Sequence, residues 1–246
     1  MFNNMPPVTR NLILLNVGLF LVTQFVFPNL MLWLAAFFPL SPNFRSWQIL
    51  THMFMHGGFA HLLFNMFTLW SFGPVLERIL GQRKYVIFYF ICGLGAFLIY
   101  NAWNYYQVYH IVAQLEAQNV NVSEIFRKAS YTYSGDTGMY LPENADKDLV
   151  SKLIMYLQTP MVGASGAIFG VITAFGMLFP NSQLMLLFPP IPIKAKYLIP
   201  ILIVGSLYLG FRQFDGDNVA HFAHLGGALL GFILVKVWKI NQFRIR

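Results

Sequence analysis

The chain has 246 residues, 57% hydrophobic and only 10% charged, with a mean hydropathy of +0.57. A soluble globular domain carries about 25% charged residues, so the composition excludes one. The net charge of +7 is gathered in clusters between long uncharged runs, which reads as a membrane pattern rather than a nucleic-acid footprint.

Residues 11–44, 46–76, 85–115 and 153–193 contain no Lys, Arg, Asp or Glu, and each run exceeds the roughly 20 residues that cross a bilayer core. Two shorter runs, 197–211 and 218–235, follow. A span of ~18 residues rises about 27 Å, and at the ends of the shorter of these runs Lys194, Lys196 and Arg212 can snorkel. The fold class expected is all-α: a polytopic membrane protein of six transmembrane helices in one domain over 1–246.

The first span is expected over 12–27. Only Arg10 precedes it and no small-residue cleavage site follows a short core, so it reads as retained rather than cleaved. Residues 30–40 are apolar but too short to cross again. They read as a loop lying in or dipping into the outer interface, with Trp33 and Trp47 as interfacial anchors. Span two is expected over 59–79, between Gly57-Gly58 and Gly81, with Glu77 and Arg78 as an interfacial charge pair. Span three is expected over 85–105.

Residues 107–152 form the one extended polar region. It reads as an outer-face insert with a short helical piece, sitting over the outer face and influencing substrate access. Asn121-Val122-Ser123 matches a glycosylation sequon, a weak three-residue signal. Spans four, five and six are expected over 165–179, 197–211 and 219–238, with Pro189, Pro190 and Pro192 marking an inner-face loop. The single Cys92 excludes an internal disulfide.

The charges orient the spans. With the N-terminus inside, alternate ends place Arg10, Arg78, Arg83, Lys84, Lys194, Lys196, Lys236, Lys239, Arg244 and Arg246 on the cytoplasmic side, with Glu77 the only acid. Eight acids fall outside: Glu116, Glu124, Asp136, Glu143, Asp146, Asp148, Asp215 and Asp217. Both termini are then cytoplasmic, and spans two, four and six all run inward.

Those three spans each carry polar groups near their outer ends: His61 and Asn65, Ser165, and His224. Their shared depth points to chemistry inside a bilayer. A serine hydroxyl becomes a nucleophile when a base takes its proton, and histidine is the usual base near neutral pH. His61 and Asn65, at i and i+4, share a helix face and can donate to an oxyanion. The Ser165 amide at the start of span four can do the same. Gly163 and Gly166 allow a substrate backbone to approach. Met161 to Ala164 is irregular backbone, tolerable at membrane depth only where it lines a cavity or is buried in protein. His56 adds to the polarity of such a cavity.

Simpler readings stand beside this one. Gly166-x-x-x-Gly170 and Gly227-x-x-x-Gly231 are small-residue patterns that pack membrane helices. A serine among them, taken alone, is more often a packing residue. His52, His56, His61, His221 and His224 allow a metal or haem site, but no Cys or acid accompanies them and no HExxH is present. No metal and no cofactor are therefore expected.

At these residues the chain resembles the rhomboid family of intramembrane serine proteases. His61-Leu62-Leu63-Phe64-Asn65 resembles its HxxxN, Gly163-Ala164-Ser165-Gly166 its GxSG, and Ala223-His224-Leu225-Gly226-Gly227 its AHxxG. Glu77 with Gly81 resembles the end of its second span. The resemblance implies Ser165 as nucleophile and His224 as general base and then acid. It implies His61, Asn65 and the Ser165 amide as oxyanion hole. Phe169 would stack on His224 in place of an orienting Asp, and Gly163, Gly166, Phe64 and His56 would support the site. The implied partners are transmembrane protein substrates, cut near their outer end within a lipid bilayer, and no nucleic acid. The setting implied is a prokaryotic inner membrane, with the site opening outward and span five as a lateral gate. A non-catalytic, rhomboid-like binder of membrane helices is the alternative. Two positions depart from the family pattern: Gln48 follows Trp47 where an Arg is usual, and Phe169 stands where many members have Tyr.

Overall fold

A computed structural model describes residues 5–135, 141–143, 145–185, 190–212 and 219–240. Asp136, Asp215, Asp217, Arg244, Arg246 and Pro189 lie outside the described residues, as does the connection between spans five and six. Ten α-helices lie within the described segments: α1 (Pro7–Leu21), α2 (Leu30–Leu34), α3 (Gln48–Thr51), α4 (Phe59–Leu80), α5 (Gln82–Ala117), α6 (Val122–Lys128), α7 (Lys147–Gln158), α8 (Ser165–Leu178), α9 (Ala195–Arg212) and α10 (His221–Val237). A π-helical turn, Val22–Val26, extends α1. The fold is an all-α polytopic membrane bundle.

Four helical stretches are long and apolar enough to cross a bilayer: Pro7–Val26, Phe59–Leu80, Gln82–Ala117 and Ala195–Arg212. The other two apolar helices, α8 and α10, are shorter, at 14 and 17 residues. At 1.5 Å per residue α8 rises only about 21 Å, against a core of about 30 Å. Ser165 is the first residue of this short helix and is reached through the irregular segment 159–164.

α8 is the most enclosed helix and sits between α5 and α10. Small residues make this possible. A Cβ on Gly166 would strike Ala96, and one on Gly170 would strike Cys92. A Cβ on Gly226 would come within 2.5 Å of the Gly95 carbonyl oxygen. On α10, Gly227 and Gly231 lie against the backbone of Gly166 and Gly170. Here the small-residue patterns do the packing expected of them. Large apolar side chains such as Phe25, Leu98 and Val204 cover the outside of the bundle, at 78%, 65% and 63% exposed, as suits a lipid-facing surface.

Several sequence expectations need correction. Glu77 is not an exposed interfacial charge: it is 2% exposed. Its carboxylate accepts from the Val8 amide (2.9 Å), the Thr9 amide (2.7 Å) and the Thr9 hydroxyl (2.8 Å). It caps the start of α1, where free amides and the helix dipole favour an anion. The helix that carries the third span runs to Ala117, a dozen residues beyond the end expected for the span. Its length exceeds any bilayer core, so one end stands clear of the apolar layer. The described part of 118–158 holds two helices, α6 and α7, rather than one short helical piece. Asn121, the sequon residue, instead caps α6 through a bond from the Glu124 amide, and Asp146 caps α7. The Pro-rich connection after α8 opens and closes with a short antiparallel pair, β1 (Gln183–Met185) and β2 (Pro192–Lys194).

Candidate active site

Ser165 is the first residue of α8, and Ala164 caps it. The first intrahelical bond runs from the Ile168 amide to the Ala164 carbonyl (3.0 Å). The amides of Ser165, Gly166 and Ala167 therefore have no acceptor within the helix. His224 lies in the first turn of α10. Its Nε2 is 2.9 Å from Ser165 Oγ. The Phe169 ring lies flat on the His224 imidazole, with centroids 4.1 Å apart and planes 5° from parallel. Phe169 follows Ser165 by one turn, so the helix that presents the hydroxyl also fixes the imidazole.

α4 brings the third member. Gly163 has φ +116°, a conformation that L side chains rarely adopt. A Cβ there would come within 2.8 Å of His61 Nε2 and 3.6 Å of Ser165 Oγ. His61 and Ser165 thus border the same face of the Gly163 backbone. Asn65, one turn below His61, is 5% exposed, and its Nδ2 has no acceptor among the described residues. A buried amide donor without an acceptor is costly and is suited to a charge that appears only during reaction. Ser165, His224, Phe169 and His61 are half-buried, while Gly163, Gly166 and Asn65 are buried. Ser165 and His224 are therefore partly accessible, beside a buried set of Gly163, Gly166 and Asn65.

His56 is fully buried, with its ring 5.1 Å from that of His61 at 64°. Its nitrogens have no partner among the described residues. Phe64, by contrast, is 57% exposed on α4 and is turned toward the surroundings of the bundle rather than packed into the site. Among the described residues no three His, Cys, Asp or Glu side chains converge as metal ligands.

One residue of the surroundings carries more than its sequence context indicated. Gln48 reads as a missing interfacial charge, but it is fully buried. Its Oε1 accepts from the amides of Phe37 (3.3 Å) and Arg45 (3.0 Å), and its carbonyl meets His52 Nδ1 at 2.9 Å. The His52 carbonyl accepts from the Gly163 amide at 3.0 Å. Its place after Trp47, just before a His-rich stretch, was the available signal.

His52 and His56 lie in the connection between α1 and α4, outside the spanning helices. Burial pushes both imidazoles down to about 4, and His61 nearby adds to the effect at His56. In the unfolded chain they take up protons near the ordinary value of about 6.5. Between these values the unfolded state binds more protons, so stability rises with pH. The unfolding temperature in detergent is expected to be flat above pH 6.5 and to fall progressively as the pH drops toward 4. His56→Phe should flatten part of that slope. A midpoint that rises on acidification through this window would contradict burial of the neutral imidazoles.

A family model of the Rhomboid domain matches residues 43–113 and 131–239. The chain is 27% identical to rhomboid protease AarA of Providencia stuartii, over 97% of its own length and 75% of that protein's. It is also 27% identical to putative rhomboid protease YdcA of Bacillus subtilis, over 78% of its length and 67% of that protein's. To an uncharacterized mitochondrial rhomboid protein of Schizosaccharomyces pombe it is 26% identical, and it spans about half, 52%, of that relative's length.

Proposed function

The chain belongs to the rhomboid family, and from that premise we propose that it is an intramembrane serine endopeptidase that cuts transmembrane segments of other membrane proteins near their outer ends. The observation that carries the reading is the 2.9 Å contact between Ser165 Oγ and His224 Nε2 under the Phe169 ring. In this reading His224 accepts the Ser165 proton as Oγ attacks the scissile carbonyl carbon. The carbonyl oxygen becomes an oxyanion facing His61, Asn65 Nδ2 and the Ser165 amide. His224 then passes its proton to the departing amine as the C–N bond breaks, leaving an ester on Ser165. Water attacks the ester while His224 takes a water proton. The acid departs and Oγ regains a proton. A stacked ring replaces the orienting carboxylate of a triad, and the sequence of steps uses no cofactor.

The charge asymmetry supports placing both termini in the cytoplasm and the site toward the outer face of a bacterial plasma membrane. Names of bacterial relatives, rhomboid protease and putative rhomboid protease, support peptide-bond hydrolysis as the activity.

The test is covalent. A fluorophosphonate probe is expected to label Ser165, located by peptide mass spectrometry, and labelling should drop to background in His224→Ala. Labelling that persists undiminished without His224 would remove the dyad from the reading.

A further inference from the structure

The segment between α5 and Ser165 builds an apolar cluster of its own. Val108, Ile111 and Leu115 of α5 meet Ile125 of α6 and Val150, Leu153 and Leu157 of α7. A residue from a distant segment completes it: Phe38, 3% exposed, from the loop between α1 and α4. Polar bonds fix the same junction. Asn43 Nδ2 donates to the Ala129 carbonyl at 2.9 Å, and its Oδ1 accepts from the Tyr131 amide at 2.9 Å. Ser41 Oγ donates to the Leu157 carbonyl at 2.6 Å.

That loop also holds the backbone leading into the candidate nucleophile. Ala36 and Met161 form an isolated antiparallel bridge, with bonds of 3.0 and 2.7 Å in the two directions. Gln48 Nε2 donates to the Asn43 carbonyl (3.4 Å), and Gln48 leads through His52 to the Gly163 amide. Neither 35–47 nor 159–164 belongs to a long helix, so each depends on contacts from outside itself for a fixed conformation.

We propose that the insert is a brace for the active site and that Asn43 is a positioning residue. Docked through Phe38, Asn43 and Ser41, it immobilises 35–47. That loop in turn fixes 161–164, on which the Gly163 conformation and the direction of the Ser165 amide depend. This differs from a role in contacting substrate, and its kinetic part rests on Ser165 being the nucleophile.

The experiment compares the full chain with Asn43→Ala in detergent micelles, with Ser41→Ala as a milder second variant should the first fail to fold. Hydrogen–deuterium exchange is read at peptides covering 35–47 and 159–166. The expected result is exchange at least about tenfold faster there, with the centres of α4 and α10 unchanged. At a temperature where both proteins are folded by circular dichroism, the rate of fluorophosphonate labelling should fall on the order of 10–100-fold, the scale set by ångström misplacement of reacting groups. Unchanged exchange at 159–166 in a folded variant overturns the brace. So does a raised KM for a membrane-protein substrate with labelling and exchange both unchanged, since that result marks the insert as a substrate contact. Exchange needs no activity. A wild-type protein that fails to label would defeat the protease reading while exchange still decides the brace.

Discussion

Ser165→Ala is expected to abolish cleavage of a helical membrane substrate in liposomes, to at least about 10⁴-fold below wild type, the scale on which serine hydrolases lose turnover without their nucleophile. The substitution removes one oxygen, the atom 2.9 Å from His224 Nε2. It removes no large packing group, and Ser165 is half-buried, so the unfolding temperature should change little. His224→Ala should cost about as much, and the double variant scarcely more, because the two groups act as one unit. His61→Ala and Asn65→Ala should cost less, on the order of 10²–10³, the range for losing one oxyanion donor. A graded series of this kind separates a protease from a protein that only binds membrane helices. Equal cleavage by wild type and Ser165→Ala would end the protease reading, and retained helix binding without cleavage by either would favour the binder.

Gly227→Ala is expected to damage both stability and activity, although it adds a single methyl group. The new Cβ would collide with the Gly166 carbonyl oxygen and lie 2.6 Å from its carbon. Both atoms are backbone, so no side chain can swing aside; α8 and α10 must separate. Overpacking of a close-packed interior costs typically 1–3 kcal/mol, and a rigid backbone neighbour should place this variant at or above the upper end. The displacement falls where the chemistry needs precision. Gly166 adjoins Ser165, and Gly227 lies one turn after His224. An ångström of separation would break the 2.9 Å contact and slow phosphonate labelling on the order of 10²-fold. Gly18→Ala and Gly205→Ala provide controls, because nothing lies within 4 Å of a Cβ at either position. Both should be neutral or stabilising by up to about 1 kcal/mol, given the poor helix propensity of glycine. If Gly227→Ala unfolds at the wild-type temperature and labels at the wild-type rate, the tight α8–α10 contact is wrong.

The apolar helices were legible because a long uncharged run announces one locally. Ends were legible where glycine or charge marked them: α4 begins after Gly57-Gly58 and ends at Gly81, whose φ is +76°. The end of α5 was not. Asn101, Asn104 and Gln107 interrupt the apolar run, yet Val108, Ile111 and Leu115 continue at helical spacing. Their partners on α7 lie dozens of residues away, so the stripe reads as an isolated fragment until the partner is present. Glu77 was misread for the same reason. Sequence pairs it with adjacent Arg78, whereas its acceptor oxygens serve Val8 and Thr9, separated from it by 69 and 68 residues. Gln48 looked like a substitution at an interface because nothing local shows that the Phe37 amide and the Leu32 and Trp33 carbonyls join Arg45 and Asn43 at its side-chain amide.

The candidate site divides along the same line. Ser165, His61, Asn65 and His224 could be chosen from sequence, since polar groups in apolar runs are expensive and the charge pattern predicts a shared depth for them. The glycines beside them could be read as packing residues. What sequence could not supply is the 2.9 Å between Oγ and Nε2, the parallel stack of Phe169 on His224, or the start of α8 at Ser165 itself. Hydropathy and residue spacing act within a segment and fix which stretches enter the bilayer and which face is polar. The distance between two helices depends on which backbones meet, here Gly166 against Gly227 and Gly170 against Gly231. Those contacts exist only once segments far apart in the chain have packed together.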